Sequence, residues 1–187
     1  MRDLVKNNPS DTRYMFIIDS MDALVPRGDL EKGSDEAIKV ARNLNDELHL
    51  NSRFVCCNVL DTSKYIQEKF DIVFTSYGVI GWLPDLKPWG RMIAERLNKG
   101  GTFFIAEFHP IVWMFDYLDG NTEMKYGYHQ DEAIYEEYQG TYADTDSKMI
   151  SKEYGWNHGL SEVINSLIEA GLQIEYLNEY DTNFTER

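Results

Sequence analysis

Positive charge is in short supply in this chain. Eighteen Lys and Arg stand against 32 Asp and Glu in 187 residues, a formal net charge of −14. A polyanion such as nucleic acid is repelled by that surface unless basic residues cluster locally, and no such cluster occurs. Cysteine is nearly absent. The two present, Cys56 and Cys57, are adjacent; neighbours on a strand point to opposite faces, so they neither pair easily nor chelate one ion. A reduced, cytoplasmic setting is expected. No apolar run reaches the length of a membrane span and the N-terminus has no signal-peptide core, so no membrane partner is expected. No Cys/His set has zinc spacing and no acidic set fits a calcium loop, so no metal is expected. Against these absences stand 43% hydrophobic and 13% aromatic residues, enough for one globular domain with a real core.

The apolar pattern alternates between two periods. Residues 34–48 read as a helix, with Ser34 as N-cap, Asp35 and Glu36 in the first turn, and a stripe of Ala37, Ile38, Ala41, Leu44 and Leu48. Residues 53–59 and 70–76 read as strands, 86–97 as a second helix, and 102–108 as a strand apolar enough to be buried on both faces. Gly100 and Gly101 suit a left-handed helix end and a tight turn. A further helix, 160–170, closes at Gly171 and leads to a strand at 172–180. This alternation predicts an α/β fold: a Rossmann-like, mostly parallel sheet with helices on both faces.

Ligands in such sheets sit beyond the C-terminal ends of the strands. That gives a meaning to "FDIVFTSYGVIGWLPDL" (70–86), where a buried strand runs into Thr75, Ser76, Tyr77 and Gly78. Small residues let a ligand approach the backbone, and hydroxyls offer hydrogen bonds. Glu107 and His109 end the next strand on the same rim. A plain strand-to-loop turn is the alternative reading.

Four stretches, "RFVCCNVLD", "FDIVFTSYGVIGWLPDL", "RLNKGGTFFIAEFHP" and "YGWNHGLSEVINSLIEAGLQIEYLNEYD", come in the order and spacing of a class I S-adenosylmethionine-dependent methyltransferase. The chain resembles small bacterial members of that family from about Gly33 to Asp181. The resemblance implies a seven-stranded sheet with an antiparallel last strand at the C-terminus, S-adenosylmethionine as cofactor, and a small-molecule methyl acceptor. It places Asn58, flanked by Cys57 and Val59, on the loop that reads the adenine edge. It places Thr75, Ser76 and Tyr77 opposite the methionine moiety, Trp82 and Leu83 over the cofactor, and Glu107, Phe108 and His109 at the substrate rim. His109 and His158 are candidate bases because imidazole titrates near neutrality; Glu107, two residues before His109 on the same side of the strand, is expected to raise its basicity. For either histidine the structural alternative is a hydrogen-bonded packing residue.

The family pattern breaks at the N-terminus. A family member needs a first strand ending in an acidic, glycine-rich loop, and residues 1–32 contain a single glycine, Gly28. The second strand should end in an acidic residue for the ribose, where register puts Lys32 beside Glu31. In their place stands "RYMFIIDSMDALVPRGDLEKG". Met15 to Ile18 is a strand core ending in Asp19 and Ser20, which weakly resembles the magnesium-aspartate strand of RecA-type recombinases. The phosphate loop that must precede it there is missing. Met15 to Ile18 is otherwise expected to fill the sheet position of the lost strand.

The expected organisation is an atypical segment 1–33 and a methyltransferase-like domain 34–187 with a lid-like insert at about 111–155. The insert is rich in Tyr and acids. Trp113, Phe115, Tyr117, Tyr138, Tyr142 and Trp156 form either an aromatic wall for a flat or cationic acceptor, or the packing of a lid or homodimer contact. The functional expectation is S-adenosylmethionine-dependent methyl transfer. The rival readings are a cofactor-impaired fold serving as a binding or dimerisation module, and a fragment or chimera.

Overall fold

The computed structural model describes residues 15–18, 30–115, 123–140, 148 and 150–180. Three strands make a parallel sheet in the order β1 (Met15–Ile18), β2 (Phe70–Thr75), β3 (Leu97–Ile105). β2 is central. Its register runs Met15↔Ile72 to Ile18↔Thr75 on one side and Ile72↔Thr102 to Thr75↔Ile105 on the other. Met15–Ile18 therefore fills a sheet position beside the central strand, as the sequence suggests. A separate antiparallel pair, β4 (Ile134–Gln139) and β5 (Ile150–Gly155), lies in the insert.

The strand-to-helix logic is plainest around α3 (Leu86–Arg96). Asp85 sits in extended geometry, and its carboxylate accepts the Lys87 N–H at 2.9 Å, capping the first turn. Leu86, Trp89, Met92 and Ile93 recur at helical spacing and are all buried. They pack with Val73, Leu83, Leu97 and Leu167 into one core. Trp89 is fully buried and meets Phe103 edge-on at 5.6 Å, worth roughly 0.5–1.5 kcal/mol beyond its burial. Gly90 lets α4 (Leu160–Glu169) approach: a Cβ there would stand 2.6 Å from the Ser166 carbonyl oxygen.

Several expectations need correction. "NKGG" ends no helix. It lies inside β3, where the register jumps between Phe70↔Leu97 and Ile72↔Thr102, and Gly100 has φ +78°; the two glycines accommodate an irregularity in a strand. The first long helix, α1, is Leu30–Glu47 rather than 34–48. Glu31 and Lys32 are thus helical and end no second strand. Residues 53–59 form no ladder; 51–58 are irregular, followed by a short 3-10 turn Val59–Asp61 and α2 (Thr62–Tyr65). The run instead faces β1 across a cleft, with Val55, Cys57 and Val59 opposite Phe16–Ile18. The α1 stripe is left uncovered as well, Ile38 buried but Leu44 and Leu48 exposed. Residues 172–180 form no ladder, so the described parallel sheet has three strands, not seven, and the antiparallel element among the described residues is the separate β4–β5 pair.

Candidate active site

The C-terminal ends of β2 and β3 define a rim. The Ser76 N–H donates to the Ile18 carbonyl at 3.0 Å and the Ala106 N–H to the Thr75 carbonyl at 3.1 Å, so the three strand ends stay level. The chain then turns at Gly78, whose φ of +74° is a left-handed conformation that glycine adopts without strain.

Glu107 organises this turn. Its Oε1 accepts the N–H groups of Gly78 at 2.7 Å and Phe108 at 2.9 Å; its Oε2 accepts those of Val79 at 3.1 Å and Ile80 at 3.4 Å. The Gly78, Val79 and Ile80 groups are the orphan donors at the start of the 3-10 helix Ile80–Trp82. Burial pushes the carboxyl above its usual range, and the four N–H groups pull in the opposite direction. Glu107 therefore holds the loop; it does not touch His109.

His109 finds a different partner. Its Nε2 lies 2.7 Å from Glu179 Oε1, and its Nδ1 accepts the Ile111 N–H at 3.2 Å. In the neutral ring the Nε2 carries the proton and donates to the carboxylate, because Nδ1 is the acceptor. No local sequence signal announces Glu179, since 70 residues separate the two. Tyr180, next in the chain, acts electrostatically on Tyr77, so 179–180 returns to the rim.

His158 lies elsewhere. It is buried, its Nε2 donating to the Leu83 carbonyl at 2.7 Å and its Nδ1 standing 2.8 Å from Glu162 Oε1. Its neighbour Asn157, which the sequence reading passed over, donates from Nδ2 to the carbonyls of Gly127 at 2.9 Å and Pro110 at 3.1 Å. With the Trp156 N–H on the Gly81 carbonyl at 2.8 Å, residues 156–158 stitch the insert, the segment after β3 and the loop 81–83 together.

The cofactor candidates divide into two groups. Ser76 and Tyr77 stand on the rim. Thr75 is fully buried on the same strand face as Val73, and its hydroxyl has no described partner; its side chain belongs to the core. Trp82 is half-buried on the 3-10 helix that follows. Asn58 is exposed and caps Val59–Asp61, its Oδ1 accepting the Leu60 N–H at 2.9 Å. Val59, Cys57 and Val55 face Phe16, Ile17 and Ile18 across a cleft of about 80 Å³, and burial pushes the Cys57 thiol up. Trp113 lies on the 3-10 turn Val112–Met114, and Phe115 pairs with Met124 in an isolated bridge. Asp19, Tyr117 and Tyr142 fall outside the described residues.

This rim has a family context. Residues 32–105 match the model of the methyltransferase domain family, and that segment carries β2, α3 and most of the strand-end loop. The family pattern covers residues 32–105, and the fold as a whole is similar to that of a S-adenosylmethionine-dependent methyltransferase. A crystal structure of a S-adenosylmethionine-dependent methyltransferase from Clostridium acetobutylicum superposes with a TM-score of 0.52 at 18% identity, over 75% of this chain and 62% of that one. The chain thus spans about three-fifths of that relative's length. No curated protein matches the sequence significantly. Among the described residues no helix is long and apolar enough to cross a membrane, and no group of three or more His, Cys, Asp and Glu is placed to hold a metal.

The fit to the family's cofactor is partial. A cleft of about 80 Å³ is far below the roughly 300–1,000 Å³ of ordinary small-molecule pockets. It is lined by Val55, Cys57, Val59, Thr62 and Ile66 and by Phe16–Ile18, and the loop 76–78 is not part of its wall. The described residues supply no glycine cradle.

Proposed function

We propose that the chain is a methyltransferase that uses S-adenosylmethionine to methylate a small molecule, and that it binds this cofactor weakly by itself. The observation that carries the reading is the Gly78 turn, clamped by Glu107 at the ends of three level parallel strands, in a segment with the methyltransferase-domain pattern. When bound, the cofactor supplies a methyl group on a positively charged sulfonium. The protein's part is mainly placement, which can supply roughly 7–11 kcal/mol of the barrier.

In this reading Ser76 and Tyr77 flank the methionine end, Val59 and the Asn58 loop the adenine edge, and Trp82 the cover; Thr75 contributes its backbone. Glu107 is a positioning residue and His158 a structural one. His109 is the acceptor-side base. Its bond from the Ile111 N–H is long at 3.2 Å, and giving it up frees the Nδ1 lone pair for an acceptor's proton. His109→Gln then lowers turnover roughly a hundredfold or more and leaves cofactor affinity unchanged. The 111–155 insert, tied to the rim through Asn157, acts as its cover.

Calorimetric titration with S-adenosylmethionine tests the reading. Each backbone hydrogen bond lost with the glycine loop removes roughly 0.5–1.5 kcal/mol, so the expected dissociation constant lies above about 1 μM. Submicromolar binding would mean that another segment has replaced the loop. No saturable binding would favour the second reading, a methyltransferase-type fold serving as a binding module, which the small cleft and missing cradle support.

A further inference from the structure

The acceptor side of the rim is built from rings and carboxylates. Tyr77 and Phe108 stand 5.7 Å apart between ring centroids, and Phe108 and Trp113 meet edge-on at 5.6 Å. Tyr77 is 36% exposed, Trp113 42% and Tyr180 80%. Three aromatic side chains thus offer open surface at the strand ends. Beside them Glu179 gives one oxygen to His109; its other oxygen has no described partner, and its side chain is 57% exposed.

We infer that this rim binds an organic cation, an ammonium-bearing small molecule seated against Tyr77, Phe108 and Trp113, with Glu179 as its counter-charge. The inference rests on the proposed function only in taking this side of the rim as the acceptor side. Rings alone accept neutral and cationic ligands alike. A ring face together with an ionised carboxylate selects the cation, because the ring quadrupole and the carboxylate both attract it while a neutral isostere gains from neither. The net charge of −14 acts in the same direction at long range.

The test uses the full chain with no cofactor added. Choline and its uncharged carbon isostere, 3,3-dimethylbutan-1-ol, are titrated against intrinsic tryptophan fluorescence. Choline should bind at least about tenfold tighter than the isostere. Glu179→Gln, which keeps the side-chain shape, and Trp113→Leu, at an exposed position, should each abolish that preference without lowering the thermal midpoint. Equal affinity for the two probes, no saturable choline binding, or an unchanged preference in Glu179→Gln would overturn the inference. Because no methyl donor is present, the result is independent of the cofactor titration. Choline selectivity without cofactor binding would keep the rim and remove the methyltransferase. Cofactor binding without choline selectivity would keep the methyltransferase and require another class of acceptor.

Discussion

The Glu107 carboxylate accepts the Gly78 N–H at 2.7 Å across a sequence separation of 29 residues. This bond and its three companions tie the end of β3 to the turn after β2. Removing the carboxylate leaves partly buried N–H donors without partners, so Glu107→Ala should lower stability by about 3 kcal/mol. Glu107→Gln, whose amide group faces donors with a donor, should fall between the two. Urea unfolding measures both, and a Glu107→Ala midpoint equal to wild type would refute the clamp.

Two carboxyls make stability fall as pH rises. Glu107 is pushed up by burial. Glu153 is pushed up by burial and then by Glu136, its partner directly across the β4–β5 pair, while the Tyr138 hydroxyl, which donates to it, pulls it down. A raised carboxyl pKa means the folded protein holds the proton more tightly than the unfolded chain. That contribution is complete below the ordinary value near about 4.3 and is lost as pH rises through the folded values. Glu68 and Glu137 are shifted downward by hydrogen bonds; their contribution is present above the ordinary value and lost only at lower pH. The urea midpoint should therefore fall as pH rises above the ordinary carboxyl value of about 4.3, and Glu153→Gln should flatten part of that fall. An identical slope in the variant would contradict this assignment.

His158 serves the fold. Both ring nitrogens are engaged in a buried site, on the Leu83 carbonyl and on Glu162. His158→Ala should cost about 2–4 kcal/mol through the cavity and the unpaired carbonyl. Stability, not the pH profile of turnover, should change. A variant with wild-type melting and altered turnover would return His158 to the chemistry.

Gly90 sets the approach of α3 to α4. With its Cβ 2.6 Å from the Ser166 carbonyl oxygen, Gly90→Ala must push the helices apart, at a cost of about 1–3 kcal/mol that outweighs the helix propensity gained. A thermal melt at or above the wild-type midpoint would show that α4 moves freely.

The sequence by itself determined the elements with strong local periodicity. The apolar runs in 70–76 and 102–108 and the helix-period residues in 86–97 placed the central strand, its neighbour and α3 within a few residues, because run length and side-chain period follow from backbone geometry. The small polar residues after Phe74 marked the rim for the same reason. Tertiary structure decided what depends on partners. Residues 53–59 and 172–180 have strand composition but no ladder, since a strand is stabilised by the strand beside it and composition cannot say whether one is there. Glycines that read as a helix end became an irregularity in β3 once that strand had to stay in register with β2. Glu107 and His109, two residues apart, were expected to act together. The fold sent one carboxylate to four backbone donors and gave the imidazole to Glu179, because hydrogen bonds are settled by distance in space, which local sequence does not encode.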